Sequence, residues 1–224
     1  MPAIRITAND RALSPNTDRV VMSEFVYLAS QSPRRRQLLE QLGVRYELLL
    51  AGDDEDAEAL EVALPGEAPA AYVQRVTGLK LDAALQRLAQ RGLPPAPVLC
   101  CDTTVAWGRV IYGKPADAAD ARRMLHELGG KTHRVLTAVV VGDRHQRESV
   151  LSTSRVTFAN LSPADIQAYV ATGEPMGKAG AYAVQGRAAA FIEKISGSYS
   201  GIMGLPLFDT ALLLKAILKS SREA

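Results

Sequence analysis

The stretch Ser30 to Leu39, SQSPRRRQLL, joins a small polar loop to a helix start that carries three arginines. Ser32 stands at the N-cap position and Pro33 at the first helical position. A helix N-terminus is partially positive, so each basic side chain there is unfavourable by about 0.3–1 kcal/mol at an exposed site. Unless Arg34 and Arg35 lie on a merely solvated turn, they call for an anion. Backbone N–H groups around Ser30 and Ser32, together with guanidinium forks, suit phosphate oxygens.

Asp102, in VLCCDTTVAW, is the second candidate. Aspartate is depleted in strands and costly when buried unpaired, so one inside an apolar run needs a partner. Strand alternation puts Asp102 on one face with Val98 and Cys100, and Thr103 on the other with Leu99 and Cys101. Both line one pocket only if the strand ends or bulges. Two lysines offer cations: Lys80 interrupts an apolar helical face, and Lys114 sits in the stiff turn Gly113-Lys114-Pro115. Gln185 lies in the glycine-bearing stretch Met176 to Leu207, which is either a backbone approaching a ligand or a loop-rich sheet edge. Its amide has the donor and acceptor needed to read a base edge.

Other chemistries lack their residues. His126, His133 and His145 have no metal-ligand spacing, and neither a G-x-x-x-x-G-K-[ST] loop nor a G-x-S-x-G elbow occurs. Cationic phosphate binding beside carboxylates remains.

The elements that must position these groups follow from periodicity. Phe25–Ala29 and Val44–Leu50 read as strands around the arginine helix, and an acidic loop, GDDEDAE, follows. A helix spans about Ala68 to Arg91, with Tyr72, Val73, Val76, Leu79, Ala83 and Ala84 inward. After the Asp102 strand come a short strand in GRVIYGKP and a helix ending at Gly129-Gly130. Two long antiparallel strands join around Gly142–His145, and helices in SPADIQAYVATG and LFDTALLLKAILKS complete the chain. The pattern predicts an α/β protein with a mixed sheet flanked by helices, in which Arg91–Pro97 links two lobes.

The 224 residues carry 26 Lys+Arg against 24 Asp+Glu, so the anion site must be local, and stable nucleic-acid binding is not expected. Cys100 and Cys101 are adjacent in an apolar run, which suits a reducing, cytoplasmic setting. No stretch has the length of a membrane span, and the opening lacks a signal-peptide core. Residues 1–24 are expected to form a loose arm, with Met22 as an alternative start, and residues 25–224 a single catalytic domain.

LASQSPRRRQLL, DTTV, GKP, KAGAYAVQG and GSYSGIMGLPL resemble, in order, the motifs of the Maf family of nucleotide pyrophosphatases. The resemblance covers about Tyr27 to the C-terminus. It implies an inosine-triphosphate-pyrophosphatase-like fold with the active site between two lobes, a homodimer, and hydrolysis of a nucleoside triphosphate to monophosphate and pyrophosphate. Asp102 matches the family's proton acceptor, while Arg34, Thr103 and Gln185 match positions tied to substrate preference. KAGAYAVQG is similar to the branch acting on dTTP and UTP. Gln31, Cys100-Cys101 and Thr104 depart from the family's usual residues.

An aspartate's ordinary pKa of about 3.9 makes it a weak base for water. The resemblance therefore implies a divalent metal, Mg²⁺ or Mn²⁺, with Asp102 as base or as ligand. Glu55, in the acidic run Asp53-Asp54-Glu55 where the family carries a carboxylate, is either a second metal or water contact or part of a solvated loop. Ser30, Ser32, Arg34 and Arg35 are expected to hold the triphosphate, and Lys80 and Lys114 to neutralise the leaving group. A nucleotide sensor in division control that binds without hydrolysis would keep most of these motifs.

Overall fold

The computed structural model describes residues 25–52, 55 and 59–223. The expected arm, the alternative start at Met22 and the acidic residues Asp53 and Asp54 lie outside the described residues. In chain order the elements begin with β1 (Val26–Leu28), α1 (Pro33–Gln41), β2 (Tyr46–Leu48) and the long α2 (Pro69–Gln90). Next come β3 (Val98–Trp107), β4 (Val110–Tyr112), α3 (Ala118–Leu128), β5 (Thr132–Gly142) and β6 (Arg147–Phe158). α4 (Pro163–Val170), β7 (Ile192–Ser196), α5 (Tyr199–Met203) and α6 (Leu207–Glu223) follow.

Among the described residues the strands form one sheet in the order β2-β1-β3-β5-β6-β7, with β4 paired to β3. β1 runs parallel to both β2 and β3, whereas β3, β5, β6 and β7 pair antiparallel. The sheet is therefore mixed, as the pattern of elements predicts. Local chemistry explains the boundaries. α4 starts with a capping box in which the Ser162 hydroxyl accepts from the Asp165 N–H and the Asp165 carboxylate accepts from the Ser162 N–H. α1 ends where Gly43 takes φ +67°, a conformation glycine adopts without strain.

The α2 stripe differs in phase from the sequence reading. Leu79 is exposed, and Thr77 and Leu81 are buried in its place, giving a regular run through Tyr72, Val73, Val76, Ala84 and Leu88. β7 lies in the glycine-bearing stretch, so that stretch does supply a sheet edge. Arg91–Pro97 is not a seam between lobes, because Leu88 before it and Ala96 and Val98 after it pack in one core.

The real seam crosses the opposite face of the sheet. On β3, Leu99 and Cys101 pack with α1 and α6, while Val105 packs with α3 and α4. Their β5 partners divide the same way, Val141 and Val139 on one side and Val135 on the other. Between them stand two polar residues, Thr103 and its register partner Thr137. Large aliphatic side chains closed into cores of this kind contribute about 1.5–3 kcal/mol each by leaving water. Apolar burial holds both lobes on one sheet, and the polar pair marks where they part.

Candidate active site

β3 has an open edge between its neighbours. β1 pairs only as far as Leu99, and β4 takes up pairing at Val105. Residues 100–104 thus border a gap, and a cavity of about 800 Å³ runs across it. The gap resolves the conflict over facing. β3 neither ends nor bulges at Asp102, yet side chains from both its faces line the cleft because the cleft crosses the strand's edge.

On the α2 side, Lys80, Ala83 and Arg87 fall on one helix face and line the cleft. Lys80 Nζ donates to Asp102 Oδ1 at 2.6 Å and to Glu61 Oε1 at 2.8 Å. Lys114 Nζ lies 3.3 Å from Glu61 Oε2. Asp102 is thus buried with the partner its position demands, its side chain 12% exposed. Burial raises the Glu61 pKa, but Lys80 and Lys114 outweigh it and hold this carboxyl below its ordinary value.

On the α1 side the arginines are braced by the last residue of α5 and the glycine that follows it. Arg34 Nε donates to the Met203 carbonyl at 3.3 Å, Arg35 Nε to the Gly204 carbonyl at 3.0 Å, and Arg35 Nη1 to Ser30 Oγ at 3.1 Å. Gly204 has φ +117°, where a side chain would be strained, so GIMGLP presents its carbonyls to the guanidinium groups by virtue of that glycine. Ser32 occupies the N-cap, but its side chain makes no capping bond; its N–H donates to Ser30 Oγ at 3.2 Å instead. Burial, then the neighbouring Arg35, push the Arg34 pKa down, a shift that an arriving anion would reverse. Lys178, also on this wall, is lowered by burial and by Arg34.

The floor is the polar seam. Thr103 and Thr137 hydroxyls are 2.9 Å apart, and Thr137 Oγ1 donates to the Gly201 carbonyl at 2.7 Å, which ties α5 to β5. At the KAGAY turn, Gly180 and Ala181 both take positive φ. A Cβ on Gly180 would collide with Val105, so only glycine lets this turn close on β3 and bring Lys178 and Tyr182 to the wall.

Ser30, Ser32, Arg34, Arg35, Lys80, Asp102, Thr103 and Lys114 all line this one cleft. Glu55 also lines it, but its carboxylate is committed: Oε1 accepts from Arg87 Nε at 2.7 Å, Oε2 from Arg87 Nη2, and Oε1 also from the Gly52 N–H. Hydrogen bonds from Arg87 pull its pKa down to about 2 and tie Glu55 to α2. Gln185 does not join the cleft. It is exposed at the tip of a turn closed by the Gly186 N–H on the Ala183 carbonyl, and Val184 faces the cavity in its place. The Glu174 carboxylate fixes that turn by accepting from the Arg187 N–H at 3.0 Å.

Three charged lining residues escaped the sequence reading. Arg87 was signalled by its place seven residues after Lys80 on one helix, and Lys178 by its place in KAGAYAVQG. Glu61 had no local signal among the acidic residues around it.

No three His, Cys, Asp or Glu side chains converge as a cation cage among the described residues. Mg²⁺ commonly needs none, since one or two carboxylates plus substrate phosphates suffice. Asp102 can fill that role because Lys80 engages its Oδ1 and the second carboxylate oxygen remains for a cation shared with substrate phosphates. Cys100 and Cys101 are both free and buried, and no described helix is long and apolar enough to cross a membrane.

A family model described as Maf-like protein matches residues 25–217. A protein of Albidiferax ferrireducens named dTTP/UTP pyrophosphatase is 73% identical over 195 residues, covering 87% of this chain and 98% of its own. A protein of the same name from Polaromonas sp. is 67% identical, covering 87% and 96%. A solved nucleoside-triphosphatase / dITP/XTP pyrophosphatase from Mycobacterium abscessus is 14% identical with a TM-score of 0.39, covering 61% of this chain and 75% of that one.

Proposed function

The chain belongs to the Maf family, and from that premise we propose that it hydrolyses dTTP and UTP to the nucleoside monophosphate and pyrophosphate. What supports the reading most is that one cleft gathers Arg34, Arg35 and Lys178 on one wall and the Asp102–Lys80 pair on the other.

In this reaction the oxygen of a water bonds to the α-phosphorus, the bond from the α-phosphorus to the α,β-bridging oxygen breaks, and pyrophosphate departs with that oxygen. Most of the work is positioning and charge neutralisation. Arg34 and Arg35, held by the Met203 and Gly204 carbonyls, grip the triphosphate with their remaining N–H groups. The backbone at Ser30–Ser32 adds donors at the start of α1. Lys80 and Lys114 neutralise the departing pyrophosphate, and Asp102 orients the water and takes its proton. Lys80 fixes Asp102 Oδ1 by donating to it. A divalent cation held by Asp102 and the phosphate oxygens would acidify the water and screen the phosphates. In this reading Thr103, which lines the cleft at the polar seam, contacts the nucleotide beside the arginines.

The reading puts the protein in the cytoplasm, where nucleoside triphosphates are abundant, and includes a homodimer; a monomer by light scattering would remove the latter. The test of function is product chromatography with Mg²⁺ or Mn²⁺ across dTTP, UTP, CTP, GTP and 7-methyl-GTP. Monophosphate plus pyrophosphate from dTTP and UTP is expected. Clear binding with no turnover would replace the enzyme by a sensor.

A further inference from the structure

Glu61 belongs to none of the motifs that carry the family resemblance, yet its carboxylate sits on both lysines assigned to the leaving group. We propose that Glu61 is a built-in competitor for the pyrophosphate seat: it occupies Lys80 and Lys114 until the substrate's phosphates displace it, and so sets the affinity for triphosphate and pyrophosphate. The inference rests on the proposed roles of those two lysines.

Its geometry distinguishes Glu61 from a solvated loop carboxylate. The two carboxylate oxygens divide between the lysines, Oε1 at 2.8 Å from Lys80 and Oε2 at 3.3 Å from Lys114, as two oxygens of one phosphate would. Its backbone is clamped to α2. Tyr72 Oη donates to the Glu61 carbonyl at 2.9 Å, and Arg75, paired with Glu67 at 2.7 Å, donates to the Val62 carbonyl at 2.9 Å. The turn therefore stays in place while the side chain, 27% exposed and so beside open space, can rotate away. Lys80 does not lose its hold when that happens, because Asp102 Oδ1 remains at 2.6 Å.

A protein whose binding-competent state is only partly populated shows an affinity reduced by that fraction. Two partly exposed ion pairs are worth enough to lower the apparent affinity by about 3- to 10-fold. Such self-competition also hastens release of pyrophosphate, since Glu61 returns to the lysines as the product leaves.

The experiment is calorimetric titration of inorganic pyrophosphate into wild-type protein, Glu61→Gln and Glu61→Asp in EDTA, where a role as metal ligand contributes nothing. Glu61→Gln is expected to bind pyrophosphate about 3- to 10-fold more tightly. Glu61→Asp, too short to bridge both lysines, should lie between. In dTTP hydrolysis with metal, Glu61→Gln should lower KM and the pyrophosphate inhibition constant together, without raising kcat. Equal or weaker pyrophosphate binding by Glu61→Gln overturns the inference while leaving the proposed reaction intact if wild type still hydrolyses dTTP. Absence of both turnover and pyrophosphate binding in wild type overturns the reaction and the inference together.

Discussion

Replacing Asp102 by Asn keeps the side chain's shape and removes its charge. The Lys80 ammonium now 2.6 Å from Asp102 would not be stranded, because Glu61 Oε1 stays 2.8 Å away. Stripping a buried charge of its sole partner costs about 3–5 kcal/mol, but with a second carboxylate in place the loss should stay near 1 kcal/mol. For a domain of this size that is a fall in Tm of about 2–4 °C. Catalysis should suffer far more. A positioned acid–base group contributes about 10²- to 10⁴-fold, so kcat should fall by that factor, equivalent to about 2.7–5.4 kcal/mol at 1.36 kcal/mol per decade. Arg34, Arg35 and Lys178 stand on the other wall, so dTTP binding should change by less than about fivefold. Thermal melts, steady-state chromatography and calorimetric dTTP titration read the three quantities on one preparation. Turnover within tenfold of wild type, with the fold intact, would refute Asp102 as the central carboxylate.

Arg35→Lys keeps the charge but loses the fork that spans the Gly204 carbonyl and Ser30 Oγ; KM for dTTP should rise about tenfold with kcat within about threefold, and an unchanged KM would count against the clamp. Glu55, lowered from its ordinary 4.5 to about 2 by Arg87, is a depressed carboxylate. The stability it contributes is fully present above pH 4.5 and drains away as the pH falls through about 2. Glu55→Gln should therefore flatten the loss of Tm in that window relative to wild type, with turnover reduced far less than in Asp102→Asn. Superimposable acid profiles would contradict the structural role.

Where the chain spells out its own geometry, the sequence is a sound guide. The long β5–β6 hairpin announces itself by apolar runs around Gly142–His145, and Asp143 closes the turn by accepting from the His145 and Gln146 N–H groups. The Ser30–Arg35 junction is legible because its chemistry is concentrated in six residues. The α2 phase is harder to read, since alanine and leucine occur around much of that helix and blur the stripe, which explains the confusion of Leu79 with Leu81. β7 hides among glycines that carry little strand signal. The pocket reached from both faces of β3 depends on where β1 stops and β4 starts, a property of pairing rather than of any one segment. Glu61 is selected from its acidic neighbourhood only by Tyr72 and Arg75, which pin its turn beside Lys80. Gln185 lies in the motif-bearing stretch, but the turn in which it sits carries its side chain outward.

Hydrolysis of dTTP in water enriched in ¹⁸O, with each product resolved by mass spectrometry, is the most direct test of the mechanism built on Asp102 and the two cationic walls. Attack at the α-phosphorus puts one heavy oxygen in dTMP and leaves pyrophosphate unlabelled. Label in pyrophosphate, or release of dTDP and orthophosphate, would contradict the account.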